Sequence, residues 1–158
     1  MRETVFLGLG ANLGDRARNL ETAVRGIRRI PGIVVEATAK PLETAPVGGP
    51  PGQGKYLNSA CALSADVEPL HLLRALQAVE RGLGRERTAA TPRWGPRPID
   101  IDVLLWGERI VALPELTVPH PRLAERHFAL APLAELDPDA RHPVLGLTIG
   151  ELLARLRR

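Results

Sequence analysis

Two aspartates separated by one residue are the side chains of this sequence best placed to do chemistry. Asp100 and Asp102 lie in residues 99–105, whose apolar and β-branched character predicts a strand. Since successive strand residues point to opposite faces, both carboxylates leave one face while Ile101 and Val103 turn into the core. Two like charges there repel each other and lose hydration, and a hard divalent cation removes both costs. The pair therefore predicts a site for Mg²⁺, which binds through one or two carboxylates together with water and substrate phosphates.

An arginine-rich segment directly precedes the aspartates. Residues 81–97 contain one acid, Glu86, against five arginines: Arg81, Arg85, Arg87, Arg93 and Arg97. Guanidinium groups bind phosphate oxygens bidentately, and a triphosphate keeps negative charge after it binds Mg²⁺. Taken alone, such a segment is equally typical of a solvated surface. Beside the aspartates it predicts phosphate binding and stabilisation of the charge that develops in phosphoryl transfer.

The basic pI, near 9.7, leaves a nucleic-acid-binding module as the rival function. Such modules stack bases on aromatic side chains along a sheet, and the strand aromatics here are only Phe6, Tyr56 and Trp106, with no RNP-like motif. Five arginines and one glutamate give residues 81–97 a charge of +4, more than the net +3 of the whole chain. The basic excess therefore belongs to one segment beside the aspartates, which favours an enzyme.

Length and composition bound the remaining classes. The 158 residues, of which 44% are hydrophobic and 25% charged, are typical of a globular protein and predict one domain over residues 1–158. No apolar run is long enough to cross a bilayer, and Met1 to Glu3 leads straight into a strand without a signal-peptide pattern. The single cysteine, Cys61, fits a reducing compartment, so we expect a cytoplasmic protein.

The elements that must position these residues follow the order β-α-β-β-α-β. Apolar, β-branched runs predict strands at residues 4–9, 33–39, 56–65 and 99–106. Apolar residues at helical spacing predict helices at residues 16–30, with Asn12 or Asp15 as N-cap, and at residues 68–83. Short helical stretches are expected near residues 122–136 and 149–156.

This order favours an α+β fold, a ferredoxin-like sandwich with a mostly antiparallel sheet and two helices on one face. Residues 41–55 and 85–98 are predicted to be long loops beside that core, where function is expected.

Two glycine-rich segments invite comparison with nucleotide-binding loops. Residues 8–14 lie between a strand and a helix, but their spacing is one residue too long for the dinucleotide fingerprint, so turn geometry is the interpretation of their glycines. Residues 49–55 fit G-x-x-x-x-G-K, yet Tyr56 follows where a serine or threonine is required, and a strand follows instead of a helix. Neither segment is expected to bind nucleotide phosphates.

The remaining reactive side chains have simpler interpretations. Cys61 lies in an apolar strand and is expected to be a small core residue. His120, in a proline-flanked loop, could donate to a phosphate. The other histidines, His71, His127 and His142, are interpreted as surface or packing residues, since no zinc-ligand spacing is present.

Residues 93–104, Arg-Trp-Gly-Pro-Arg-Pro-Ile-Asp-Ile-Asp-Val-Leu, closely resemble the signature of the 6-hydroxymethyl-7,8-dihydropterin pyrophosphokinases of the folate pathway. The resemblance continues through residues 8–15, 56–58 and 116–121, so it covers nearly the whole chain in the right order. It implies a ferredoxin-like fold with mobile loops. It also implies transfer of the pyrophosphoryl group of ATP to the pterin hydroxymethyl group, with release of AMP, in tetrahydrofolate biosynthesis.

The same resemblance implies roles for individual residues. Asp100 and Asp102 would bind two Mg²⁺ ions with ATP, and Arg85 and Arg97 would stabilise the transferring group. The residues implied to contact ATP are Gln77, Glu80, Arg87, Trp94, Thr117, His120 and Arg126. Those implied to form the pterin pocket, which needs aromatic faces and amide-type partners, are Thr44, Pro46, Val47, Tyr56, Asn58, Trp94 and Phe128. Beyond ATP and a pterin, no nucleic acid, membrane or obligate protein partner is expected.

Overall fold

Seven strands and four helices make up the part of the chain that the computed structural model describes, residues 2–47, 49, 51–84 and 98–157. The strands are β1 (Glu3–Ala11), β2 (Ile33–Thr38), β3 (Leu42–Thr44), β4 (Tyr56–Ala65), β5 (Asp100–Trp106), β6 (Val111–Ala112) and β7 (Thr117–Val118). The helices are α1 (Arg16–Arg28), α2 (Pro69–Gly82), α3 (His127–Leu136) and α4 (Ile149–Leu156), with a 3₁₀ turn at Leu123–Glu125.

One antiparallel sheet organises the fold, in the strand order β2-β4-β1-β5, with β3 added beside β4. β1 is interior because its side chains from Val5 to Ala11 are apolar or absent, and it pairs with β4 along its whole length. On its other side it pairs with β5, where Gly8 lies opposite Asp102 and Gly10 opposite Asp100. The two aspartates therefore lie beside the strand that forms the middle of the sheet. The small hairpin of β6 and β7 is a separate sheet.

The two faces of the main sheet are covered differently. On one face, buried residues of α1 and α2 such as Ile27 and Leu72 form a core with Leu7, Leu63 and Ile101 of the strands. This arrangement confirms the prediction of two helices on one face.

On the opposite face, α3 and α4 form a second core that includes Phe6, Leu104 and Leu130. The prediction of short helices in the last third of the chain is also confirmed, and they add a layer. None of the helices in the described part of the chain combines the length and the apolar character that a membrane span needs.

Residues 41–55 were predicted to be a loop, but the structure contains a short strand, β3, near the start of this segment. Leu42 pairs with Asn58 and Thr44 with Tyr56. The sequence Leu-Glu-Thr is too short and too polar to show strand periodicity, and its backbone is ordered by pairing with β4 rather than by a local preference.

Gly8 and Gly10 lie inside β1, so the prediction that turn geometry explains the glycines of residues 8–14 is wrong for these two. Gly14, with φ of +70°, does turn the chain toward α1. Asp15 then caps the helix by accepting a hydrogen bond from the backbone N–H of Arg18 at 3.1 Å. Asn12, the other candidate cap, instead donates to Gln53 Oε1 at 3.1 Å.

Candidate active site

A cavity of about 600 Å³ opens on the face of the sheet that also carries α3 and α4. Its floor is formed by Gly8, Gly10, Asp100 and Asp102 of β1 and β5. One side, called here the polar wall, contains Thr44, Tyr56 and Asn58. The opposite side, called the basic wall, contains His120, Arg122 and Arg126, with Phe128 beside them. The cavity therefore offers carboxylates below, amide and hydroxyl groups on one side, and cationic groups on the other.

The floor has the alternation expected of a strand. Asp100 and Asp102 are half-buried and line the cavity, whereas Ile101 and Val103, each 5% exposed, belong to the core beneath. The prediction that both carboxylates leave the same face is thereby confirmed.

Glycines opposite the aspartates keep this floor open. A Cβ at Gly10 would lie 2.9 Å from Asn58 Oδ1, and a Cβ at Gly8 would lie 3.1 Å from Leu104 Cδ1. These distances are shorter than ordinary van der Waals contact, so a side chain at either position would push into the polar wall or into the core below α3. The requirement for glycine here is a close approach within the sheet.

The polar wall is built from the two strands β3 and β4. Thr44 lies opposite Tyr56 in the pairing, and the buried side chain of Asn58 donates to Thr44 Oγ1. Alternation along β4 directs Tyr56 and Asn58 to the same side of the sheet. An aromatic ring beside a fixed amide and a hydroxyl suits a flat heterocycle with hydrogen-bonding edges.

The basic wall is fastened to β5 through His120. Its backbone N–H donates to Leu104 O at 3.0 Å. Its Nδ1 accepts from the backbone N–H of Arg122 at 3.2 Å, so the ring proton of the neutral imidazole lies on Nε2. Burial, together with the positive charges of Arg126 and Arg122, lowers the pKa of His120 to about 4, although the charge of Asp100 acts in the opposite direction. His120 is therefore a neutral hydrogen-bond donor at physiological pH.

Arg126 and Phe128 complete this wall. The Arg126 guanidinium lies over the Phe128 ring, 5.4 Å from its centroid, which restricts the guanidinium by a cation–π contact. Arg122 and Glu125 also line the cavity, and the distance from Arg122 Nε to Glu125 Oε2 is 3.7 Å. The wall can bind an anion through Nε2–H of His120 and the guanidinium of Arg126.

Many residues predicted from the resemblance lie around this one cavity. They are Thr44, Val47, Tyr56, Asn58, Asp100, Asp102, His120, Arg126 and Phe128. Pro46, Gln77, Glu80 and Thr117 do not line it as the described residues form it, so their substrate contacts stay predictions. Arg85, Arg87, Trp94 and Arg97 lie outside the described residues.

Glu80 was predicted to contact ATP, but in the structure it makes a buried contact with β5. It is 2% exposed, on the core side of the sheet, and its Oε2 accepts a hydrogen bond from the backbone N–H of Ile101 at 2.9 Å. The carboxylate thus contacts β5 at the residue between the two aspartates.

The sequence reasoning missed Gly8 and Gly10 as floor residues, and Arg122 and Glu125 as wall residues. His127, interpreted as a surface or packing residue, is exposed and lines the cavity as well. The signal for the last three was available, because residues 120–127 combine several charged and histidine side chains next to His120, which was predicted to donate to a phosphate.

The floor carboxylates fit a divalent cation. They are two hard oxygen ligands on one strand face, the ligand type that Mg²⁺ prefers. Within the described ranges, no group of three or more histidine, cysteine, aspartate or glutamate side chains is close enough to hold an ion. A pair of carboxylates of this kind would bind Mg²⁺ together with oxygens of a substrate and water.

Comparison with known proteins gives the same family as the sequence motifs. Residues 6–138 match the family model of 7,8-dihydro-6-hydroxymethylpterin-pyrophosphokinase. The chain is 41% identical to the 2-amino-4-hydroxy-6-hydroxymethyldihydropteridine pyrophosphokinase of Pseudomonas aeruginosa over 98% of this chain and 92% of that protein. It is 42% identical to the protein of the same name in Methylorubrum extorquens, over 96% of this chain and 92% of the relative.

Longer proteins are similar to the chain over part of their length. The folic acid synthesis protein of Schizosaccharomyces pombe is 36% identical over 96% of this chain, which spans 20% of that protein. A crystal structure of HPPK-DHPS in complex with substrates superimposes with a TM-score of 0.73 at 14% identity, over 98% of this chain and 43% of the other. Wild-type HPPK-DHPS of Plasmodium falciparum gives 0.73 at 16% identity, over 98% and 45%. At these identities the structural likeness concerns the fold, whereas the sequence matches are decisive. The chain belongs to the 7,8-dihydro-6-hydroxymethylpterin-pyrophosphokinase family.

Proposed function

We propose that this protein transfers the pyrophosphoryl group of ATP to the hydroxymethyl group of 6-hydroxymethyl-7,8-dihydropterin, in a Mg²⁺-dependent reaction that releases AMP. One observation carries the proposal: Asp100 and Asp102 face together into a cavity with a polar wall on one side and a basic wall on the other. Family membership and the names of the closely similar relatives support the same reaction. A heterocycle and a triphosphate both find matching partners there.

The pterin binds at the polar wall, in the part of the cavity between that wall and the Phe128 ring. Asn58 and Thr44 supply amide and hydroxyl groups for the polar edge of its ring, while Tyr56 and Phe128 supply aromatic faces. The hydrogen bond between Asn58 and Thr44 keeps the amide from rotating. Pro46, Val47 and Trp94 are assigned to the same pocket on the family resemblance.

The phosphates of ATP bind at the basic wall. His120 donates through Nε2 without adding charge, and Arg126 adds a guanidinium that Phe128 restrains. On the resemblance, Arg85 and Arg97 stabilise the transferring group, and the further ATP contacts are Arg87, Trp94, Gln77, Glu80 and Thr117. Catalysis in this arrangement comes from positioning and electrostatic stabilisation.

In the reaction, the hydroxymethyl oxygen attacks the β-phosphorus of ATP. The bond from that phosphorus to the oxygen bridging the α- and β-phosphates breaks, AMP leaves with the electron pair, and the hydroxyl proton is lost to solvent. Asp100 and Asp102 would hold two Mg²⁺ ions, which when bound supply neutralisation of phosphate charge. The aspartates are held in register by pairing with Gly8 and Gly10, so their position is set before substrates arrive.

The finer architecture belongs to the same proposal. The order β2-β4-β1-β5 with α1 and α2 on one face supports a ferredoxin-like βαββαβ sandwich, and residues 1–158 are assigned to one domain. Loop movement on substrate binding, a cytoplasmic location and the expectation of no nucleic acid, membrane or obligate protein partner stay predictions.

The proposal is tested by incubating the protein with ATP, Mg²⁺ and 6-hydroxymethyl-7,8-dihydropterin and separating the nucleotides by chromatography. AMP is expected only when the pterin and the metal are both present, and chelation with EDTA should stop its formation. Formation of ADP in place of AMP would indicate transfer of a single phosphoryl group. Absence of any pterin-dependent AMP would contradict the proposal.

A further inference from the structure

Arg16 contacts β3 and the residue that precedes β4, and these two strands form the polar wall. It is the first residue of α1. Its Nη2 donates to Glu43 Oε2 at 2.9 Å, and its Nη1 donates to Lys55 O at 2.9 Å. Glu43 belongs to β3, and Lys55 immediately precedes β4. One guanidinium therefore links β3 to the residue at which the chain enters β4.

These contacts lie on the side of the sheet opposite the cavity. Thr44 and Tyr56 line the cavity, and because neighbouring strand residues point to opposite faces, Glu43 points away from it. The pairing partner of Glu43 is Leu57, which packs against the core that α1 helps to form. Arg16 thus acts from the helix side on residues adjacent to those that face the substrate.

The electrostatics favour a fixed guanidinium. The hydrogen bond and charge of Arg16, with a smaller contribution from Lys55, hold the pKa of Glu43 below its usual range, so the carboxylate stays ionised at neutral pH. The Arg16 side chain is 32% exposed and that of Glu43 49%. An exposed ion pair alone contributes little to the stability of a fold. Here the planar guanidinium also donates to the backbone carbonyl of Lys55, just before β4, so two of its N–H groups are fixed at the same time.

The other end of Arg16 is fixed by the helix. α1 is anchored through Leu20, Ala23 and Ile27, which are all buried in the core. Asp15 caps the same first turn at Arg18 N. The guanidinium therefore extends from a part of the molecule whose position the core determines.

We propose that Arg16 is a positioning residue for the pterin pocket. By holding Glu43 and the Lys55 carbonyl together, it stabilises the end of the β3–β4 pairing at which Thr44 lies opposite Tyr56, and through Thr44 the orientation of the Asn58 amide. The inference rests on the proposed function, since it names the polar wall as the pterin site. The aspartates belong to β5 and the basic wall to residues 120–126, whereas Arg16 contacts Glu43 of β3 and Lys55, so ATP binding should be insensitive to these contacts.

The test compares Arg16→Gln, Arg16→Lys and Glu43→Gln with the matched control Arg18→Gln, an exposed arginine of the same helical turn. Pterin binding is measured by quenching of pterin fluorescence without turnover, and KM is measured for both substrates. Arg16→Gln should raise the Kd and the KM for the pterin about fivefold, the effect of losing charge-assisted hydrogen bonds that solvent partly replaces, with KM for ATP unchanged. Arg16→Lys and Glu43→Gln should give smaller increases, because each keeps one of the two contacts, and Arg18→Gln should match the wild type.

Urea unfolding of each variant separates positioning from stability. Wild-type pterin affinity in folded Arg16→Gln, or an equal rise in KM for both substrates, would overturn the inference. Should Arg16→Gln fail to fold, Arg16→Lys and Glu43→Gln decide in the same way. A wild-type protein that binds no pterin would overturn the proposed function itself, whereas a wild type that binds while Arg16→Gln binds equally well overturns only the role of Arg16.

Discussion

The Glu80 carboxylate accepts a hydrogen bond from the backbone N–H of Ile101 at 2.9 Å, and Ile101 is the residue between Asp100 and Asp102. Glu80 is a buried acid on α2, so the helix holds β5 from the core side at the point where the strand presents both aspartates to the cavity. A buried carboxylate without partners would be costly, and this bond compensates part of that cost. The geometry of the two aspartates therefore depends on a residue beneath the sheet.

Replacing Glu80 by alanine should lower the free energy of unfolding by about 1–3 kcal/mol, because the Ile101 N–H loses its buried acceptor. Glu80→Gln keeps a carbonyl oxygen at the same reach and should lose less. Both values can be measured by urea denaturation, with the kcat of AMP formation as a second readout that falls as β5 shifts. An alanine variant as stable as the wild type would show that the bond does not hold β5.

Gly10→Ala should weaken pterin binding more than Gly8→Ala. The new Cβ at position 10 would meet Asn58 Oδ1 at 2.9 Å, whereas at position 8 it would meet the flexible end of Leu104 at 3.1 Å. The first clash displaces a polar-wall side chain, whereas the second can be relieved by turning the Leu104 side chain slightly off its rotamer, at a cost of about 0.5–1.5 kcal/mol. Titration of pterin fluorescence compares the two variants, and equal affinities would argue against a close approach at position 10.

Acid should destabilise the protein partly through His120. Its pKa is about 4 in the folded protein against an ordinary value of 6.5, so between these pH values the unfolded chain binds the extra proton. The free energy of unfolding should thus be constant for this group above pH 6.5 and fall below it, by at most about 1.4 kcal/mol per pH unit.

His120→Asn should reduce this acid sensitivity. A remainder is expected from His142, whose pKa is also lowered by burial. Urea unfolding at a series of pH values from neutral to mildly acidic measures the slopes, and identical slopes for variant and wild type would contradict the assignment.

Local patterns were sufficient to predict much of the site. β4 has the predicted bounds of residues 56–65, and the i, i+2 spacing of Asp100 and Asp102 determined their common face without knowledge of the fold. The buried position of Cys61, with its thiol pKa raised to about 12 by burial, followed from its place in an apolar strand. In each case the feature was predictable because it depends on the pattern of residues within a single strand.

The remaining features depend on residues distant in sequence. β3 exists because it pairs with β4, and its three residues carry no periodicity of their own. The need for glycine at position 10 comes from Asn58 on a neighbouring strand. The Glu80 contact joins α2 to β5, and the Arg16 contact joins α1 to β3. Such pairs cannot be read from one sequence because nothing local specifies the partner.

The most direct test of the account is the rate of pterin-dependent AMP formation in Asp100→Asn and Asp102→Asn. Each substitution keeps the shape of the side chain and removes a charge from the floor of the cavity. Glu108→Gln, an exposed acid just beyond β5, is the control for loss of one negative charge. We predict that each aspartate variant folds and loses activity by at least about a hundredfold, while the control keeps the wild-type rate. Folded aspartate variants that form AMP at the wild-type rate would contradict the claim that this pair is the metal site of the enzyme.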